Sequence, residues 1–115
     1  MPLLVAGKQI ELTEEGFLKT PSQWDWDVAA ALALAHNLEL TEAHRELLIL
    51  LRQYCDDGNE PPSMRVFAAE IRKRTAHDAE HAKKSSSLYL MTLFGSSPAK
   101  MAARLAGLPK PKNCL

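Results

Sequence analysis

The 115 residues suffice for one small domain with a modest core, and a composition of 46% hydrophobic and 24% charged residues excludes a disordered polymer. No run approaches the ~18 apolar residues of a membrane span, and the opening Met1–Gly7 stretch has neither the basic flank nor the apolar length of a signal peptide. The net charge is zero, but residues 1–81 set all 14 acidic residues against eight basic ones, a charge of −6, while residues 82–115 carry six basic residues and no acid; a basic end on an acidic body fits an anionic partner or a stabilised anion.

Taken in order, Leu3–Val5 and Gln9–Leu12 read as short strands joined through Ala6-Gly7-Lys8, a hairpin that must lean on helices to be stable. Thr20-Pro21-Ser22-Gln23 predicts a helix start, with Thr20 as N-cap, Pro21 at the first helical position and Gln23 closing a capping box. Trp24, Val28, Ala31, Leu32 and Ala35 then share one face, and the helix ends near His36-Asn37. Thr41 caps a second helix whose apolar side carries Leu47, Leu48, Leu51, Tyr54 and Cys55, and Asp56-Asp57-Gly58-Asn59 stops it. After the rigid Pro61-Pro62 connector, Ser63 caps a third helix reaching about Arg74, with Val66, Phe67, Ala69 and Ile71 facing inward. A fourth, nearly all-round apolar helix covers Ser86–Phe94 and is broken by Gly95. Ser97-Pro98 opens a fifth, which runs to Ala106 with Gly107 at C′. The expected fold is mainly α with a small N-terminal β-hairpin. It is a compact five-helix domain over residues 1–107, including a helix-turn-helix-like pair, followed by a flexible C-terminal arm over residues 108–115.

Three patterns could carry chemistry. His77-Asp78-Ala79-Glu80-His81 matches H-x-x-E-H, a zinc-helix spacing, but residues 82–115 offer no Asp, Glu or His as a third ligand, so no metal is expected. Helices two and three, with Arg65, Arg72, Lys73 and Arg74, could form a helix-turn-helix facing phosphate, yet the acidic body opposes duplex binding. No phosphate-binding glycine loop, nucleophile elbow or CxxC pair is present, which leaves a stand-alone enzyme without support and calls for no cofactor.

The third is Leu108-Pro109-Lys110-Pro111-Lys112-Asn113-Cys114-Leu115. Pro109 and Pro111 lack N–H donors and favour an extended, semi-stiff backbone. At ~3.1 Å per residue, the run from Gly107 to Cys114 reaches about 20 Å. An ordinary thiol, with a pKa of about 8.5, is only a few per cent thiolate at neutral pH. Lys100, Arg104, Lys110 and Lys112 would tilt Cys114 towards the anion, modestly because exposed charges are screened. A thiolate so placed can attack a sulfur donor and store the product as a persulfide. Cys55, on an apolar stripe 59 positions earlier, is expected to be an inert small hydrophobe. Two such cysteines make no disulfide framework and fit a reducing cytoplasm.

The ending Ala106-Gly107-Leu108-Pro109-Lys110-Pro111-Lys112-Asn113-Cys114-Leu115 resembles the AGLPKP-x-x-C-x terminus of the DsrC/TusE family of sulfur-relay proteins. Glu15-Gly16-Phe17-Leu18, Trp24 with Val28-Ala29, Leu40-Thr41 with His44, Leu51-Arg52, Pro62 with Arg65, Leu93-Phe94 and Pro98-Ala99-Lys100 are similar in the same order. The resemblance implies a helical fold with an N-terminal hairpin, a mobile arm, and Cys114 as the sulfur-carrying residue of a sulfurtransferase-type carrier. It implies as partners a TusBCD-type sulfur donor complex and the thiouridylase of the tRNA wobble position, with tRNA contacted through that acceptor. The dissimilatory branch has a second cysteine about ten positions upstream in the arm; Ala102-Ala103-Arg104-Leu105 stands there instead, a pattern more like TusE. A DsrC-like carrier or regulator in sulfur oxidation, and a helix-turn-helix DNA-binding regulator, are the competing readings. Arg45 departs from the tryptophan common after the family histidine, and its effect on docking is open.

Overall fold

Ala6 and Gly7 take positive φ values of 48° and 81°, which reverses the chain between β1 (Leu3–Val5) and β2 (Lys8–Ile10). The strands pair antiparallel in the register Leu3↔Ile10, Leu4↔Gln9 and Val5↔Lys8 in this computed structural model, which describes residues 2–112. The second strand thus ends two residues before the expected limit, and Leu12 instead bridges to Leu18 across a loop. The ribbon leans on the first helix, and its Ile10 is buried in the core.

Six helices follow among the described residues: α1 (Trp26–Ala35), α2 (Glu42–Asp56), α3 (Met64–Arg74), α4 (His81–Lys84), α5 (Ser87–Phe94) and α6 (Pro98–Leu105). The mainly helical architecture with a small N-terminal sheet is as expected, with the four-residue α4 as an addition. The capping box at Thr20 does not form. Pro21–Gln23 makes a single 3₁₀ turn with no side-chain bond from Thr20, and Asp25 caps α1 instead, its Oδ1 accepting from the Val28 amide at 2.8 Å. The later start leaves Trp24 on extended backbone and turns the buried face to Val28, Ala29, Leu32 and Ala33, with Ala35 exposed.

Thr41 and Ser63 cap their helices as expected, whereas Ser97, ahead of Pro98, makes no side-chain cap bond to α6. Thr41 and His44 form a reciprocal capping box, the histidine taking the place usually held by Glu or Gln. Its Nδ1 accepts from the Thr41 amide at 3.1 Å, so Nε2 carries the proton and donates to the Leu93 carbonyl at 2.7 Å. Ser63 caps α3 and Ser86 caps α5. In α3, Phe67 and Ile71 are fully buried, but Ala69 is exposed and Ala68 packs on the core in its stead. In α5 only Leu90 and Phe94 are buried, while Leu88 is 79% exposed, so this helix is not enclosed on all sides. Residues 77–80 form a turn, and His81 is the first residue of α4. The Asp78 carboxylate accepts from the Glu80 amide at 2.8 Å and pairs with Lys84, and His81 Nδ1 lies 2.9 Å from the Asp78 carbonyl. The two histidines are therefore not presented on one helical face.

The core is built around α6. Six of its residues are buried, and Ala99, Ala102 and Ala103 let α1, α2, α3 and α5 approach its backbone. Leu32, Leu47, Leu48, Leu51, Phe67, Ile71, Leu90, Phe94 and Leu105 fill the space between. Cys55 lies beside this core rather than in it, half-buried, and burial followed by the Asp56 charge pushes its thiol above the ordinary range. Its alkylation should be much slower than that of an unhindered thiol and should speed up on unfolding, checked by mass spectrometry after timed iodoacetamide treatment with and without urea.

Candidate functional site

Every feature that sets where the arm begins converges on the C-terminal end of α6. The last carbonyls of a helix have no partner within it. Here Gly107, at φ +72°, turns the chain so that its N–H donates to Arg104 O at 3.2 Å and Leu108 N–H donates to Ala103 O at 2.9 Å, a Schellman pair. The carbonyls of Leu105 and Ala106 are then taken by side chains from far away in sequence. Trp24 Nε1 donates to Leu105 O at 2.8 Å, and Arg52 Nη1 donates to Ala106 O at 2.5 Å. The Arg52 guanidinium lies 3.9 Å from the Trp24 ring centroid, so the two side chains form one stacked clamp. A Cβ built on Gly107 would stand 2.4 Å from Trp24 Cδ1, which leaves room only for glycine. The family-like Trp24, Arg52 and Gly107 thus meet at one point, although 83 residues separate the first from the last.

A second fastening holds the first residues of the arm. Thr13 closes a tight loop, accepting from Phe17 N through its Oγ1 at 3.1 Å and donating its own N–H to Phe17 O at 2.7 Å. The loop presents Glu15 to α6 and to the arm together. Its carboxylate accepts from Lys100 Nζ at 2.8 Å and from Lys110 Nζ at 2.9 Å, and its backbone carbonyl accepts from Arg104 Nε at 2.9 Å. Arg104 is buried, with its guanidinium over the Phe17 ring. Further along, Lys112 Nζ pairs with Glu60 Oε1 at 2.7 Å, which raises the lysine pKa. Between the two lysines Pro111 is fully buried, an apolar anchor with no signal in the sequence, and Leu108 packs against the core.

The four basic residues expected around the thiol are therefore not one field. Lys100 and Lys110 share Glu15, Lys112 takes Glu60, and Arg104 is inside the body. Each exposed lysine brings its own counter-charge close by, which reduces what it can lend to a neighbouring anion. Cys114, the expected sulfur-carrying residue, lies outside the described residues, and so does the end of the arm beyond Lys112. Among the described residues no three His, Cys, Asp or Glu side chains converge on a point that could hold a metal ion.

Glu15 gives this fastening a pH signature. The hydrogen bonds from Lys100 and Lys110 hold its carboxyl from an ordinary 4.5 down to about 2. A depressed carboxyl stabilises the folded arrangement fully above the unfolded value and loses that contribution as pH falls from 4.5 towards 2. Glu15→Gln should remove it at every pH. The expected result is that Lys110 and Pro111 signals in NMR spectra shift towards free-chain values in the variant at neutral pH, with the body unchanged; identical spectra would contradict it.

Arg45, the departure from the family pattern, sits on α2 with its guanidinium 4.9 Å from the Trp26 ring centroid and 3.7 Å from Glu42. It edges an open groove of about 600 Å³ lined by Ala30, Leu34, Leu38 and Leu40.

Comparison with known proteins agrees with this geometry. Residues 4–115 match the family described as DsrC like protein. The Sulfurtransferase TusE homolog of Haemophilus influenzae is 36% identical over 113 residues, covering 98% of this chain and 99% of that one. Sulfurtransferase TusE of Photorhabdus laumondii is 34% identical over 98% of this chain and 97% of its own. Among solved structures, Allochromatium vinosum DsrC superposes with a TM-score of 0.84 at 39% identity, over the full length of both chains. The oxidised DsrC γ-subunit of the Archaeoglobus fulgidus dissimilatory sulfite reductase gives 0.80 at 36%, again over both full lengths.

Proposed function

The chain belongs to the DsrC family, and we propose on that footing that it is a sulfur carrier, loaded as a persulfide on Cys114. The observation that carries the reading is the family-like arm sequence set on a rigid root: Gly107 with its Trp24–Arg52 clamp fixes the direction of the arm, and exposed ion pairs with Glu15 and Glu60 hold its first residues. Exposed ion pairs are weak fasteners, readily exchanged for contacts with a partner, while among the described arm residues Pro111 and Leu108 are held more firmly by burial.

The chemistry asks little of the carrier itself. The Cys114 thiolate attacks the outer sulfur of a donor persulfide, R–S–SH. A new S–S bond forms at Cys114, the donor S–S bond breaks, and its electron pair leaves on the donor sulfur as a thiolate. The outer sulfur keeps its proton. The donor is reduced to a thiol and Cys114 is oxidised to the persulfide, so no outside redox agent is required. Delivery repeats the step with Cys114 as donor.

For the pathway, the names of the relatives and the absence of cysteine from residues 98–112 support a TusE-like role: sulfur taken from a TusBCD-type complex and passed to the thiouridylase of the tRNA wobble uridine, in the cytoplasm. With a cysteine desulfurase relay and isotopically labelled cysteine, intact-mass analysis should show an adduct of ~32 Da, one sulfur atom, on Cys114. Persistent absence of the adduct with any sulfur donor would overturn the carrier role. The second reading, a DsrC-like role in sulfur oxidation, draws on the Allochromatium relative. Transfer to a sulfur-oxidising enzyme instead of to tRNA would favour it.

A further inference from the structure

We infer that the exposed face of α3, marked by Arg65, Arg72 and Lys73, is the surface on which the protein that delivers sulfur to Cys114 docks, and that this partner meets it with carboxylates. The inference rests on the carrier role proposed above and adds to it a place and a chemistry for the partner.

Most cations in the molecule are spoken for. Arg45, Arg74, Lys83, Lys84, Lys100, Lys110 and Lys112 all have carboxylate partners, Arg52 holds a helix end, and Arg104 is inside the body. Lys8, Lys19, Arg65, Arg72 and Lys73 are exposed and, among the described residues, form no ion pair or side-chain hydrogen bond, and the last three share one helix. Arg65 and Arg72 lie two turns apart along one line of the helix, about 10 Å, with Lys73 beside the latter. Arg72 and Lys73 could be present merely to balance the helix dipole in the last turn. Arg65 could not. It occupies the second position of α3, where a cation opposes the dipole, and no acid accompanies it in the first turn. A charge that costs its own helix and has no partner at home is one kept for a partner elsewhere.

The stripe is also in the right place. The connector that leads into α3 carries Glu60, and Glu60 holds Lys112 at 2.7 Å. Cys114 follows Lys112 by two residues, which add at most about 7 Å of chain. A protein lying along α3 therefore has the arm at its edge, and by competing for Lys112 its carboxylates would draw the arm from Glu60. Discrete carboxylates fit better than a nucleic acid. Asp57, paired with Arg74 at one end of α3, and Glu60, on the connector at the other, bracket the stripe, and residues 1–107 carry a net charge of −2, so a continuous phosphate backbone would meet carboxylates at both ends. A folded surface can place its acids opposite three points and leave those flanks alone.

The test compares two sulfur sources on the full chain. One is a persulfide-loaded TusBCD-type complex, and the other is inorganic polysulfide, which needs no docking. Arg65→Glu should lower the rate constant for loading Cys114 from the protein donor at least ~5-fold at low ionic strength, and Arg65→Glu with Arg72→Glu and Lys73→Glu roughly 30-fold, both losses shrinking with added salt. Loading from polysulfide should be unchanged. Arg65→Glu alone places an acid in the first turn, which favours the helix, so its loss cannot be a folding defect. Parent-like loading from the protein donor in both variants would overturn the docking face while leaving the carrier role standing. Failure of polysulfide to load the parent at all would overturn both. Binding of an isolated tRNA that the variants lose, with protein-donor loading intact, would overturn this proposal in favour of a nucleic-acid face.

Discussion

A Cys114→Ser variant is expected to unfold at the same urea concentration as the parent and to accept no sulfane sulfur. The substitution exchanges one atom at the next-to-last position of the sequence, beyond every residue of the core cluster, and changes of that kind usually stay within about 0.5 kcal/mol. The chemical loss should be complete, because a serine hydroxyl supplies neither an appreciable anion at neutral pH nor a sulfur on which an S–S bond can form. Cys55 should not substitute for it, since burial and Asp56 hold that thiol protonated. A persistent ~32 Da adduct on the serine variant, mapped to Cys55, would overturn the assignment of Cys114 as the carrier. The basic arm residues should matter far less. Lys110 and Lys112 already face Glu15 and Glu60, so reversing their charge should slow loading severalfold at low salt and hardly at all at high salt.

Local signals in the sequence were legible, and contacts between distant residues were not. Thr41 and Ser63 each stand as caps, and Gly107 takes the left-handed turn expected of it, because capping depends on the neighbouring three or four residues. Thr20 looked as strong a cap as these. It failed because Trp24 must stay outside a helix to reach Leu105 O, a demand made 81 residues away, and Asp25 was available to start α1 later. Ala68 and Ala69 are one residue apart and chemically alike, so only the packing of α3 decides which is inside. The apolar look of α5 promised enclosure, but a helix at the edge of a small domain has too few neighbours to cover Leu88 and Met91. At the site, the thiol, the prolines and the lysines could be named from the sequence. The role of Glu15 could not, because a loop carboxylate among 14 acidic residues gives no sign that it bonds two lysines 85 and 95 positions later.

Gly107→Ala should be among the most damaging single substitutions in the molecule, at about 4–7 kcal/mol. Two independent costs meet there. An L-residue at φ +72° carries about 1–2 kcal/mol of backbone strain. The added methyl would also lie 2.4–2.8 Å from three atoms of Trp24, so the indole must move. Moving it gives up the bond to Leu105 O and the stack with Arg52, about 1 kcal/mol each, and repacks a neighbourhood where overpacking alone costs 1–3 kcal/mol. Gly58 supplies the internal control. It also has a positive φ, +96°, but a Cβ there meets nothing within 4 Å, so Gly58→Ala should cost only the strain of about 1–2 kcal/mol. Urea unfolding followed by tryptophan fluorescence measures both. If the two variants lose equal stability, then the Trp24 contact contributes nothing and the clamp at the end of α6 is not what fixes the arm. If Gly107→Ala loses far more, the folded fraction of that variant should also load sulfur more slowly from a protein donor than from polysulfide, because the displaced clamp no longer directs the arm to a docked partner.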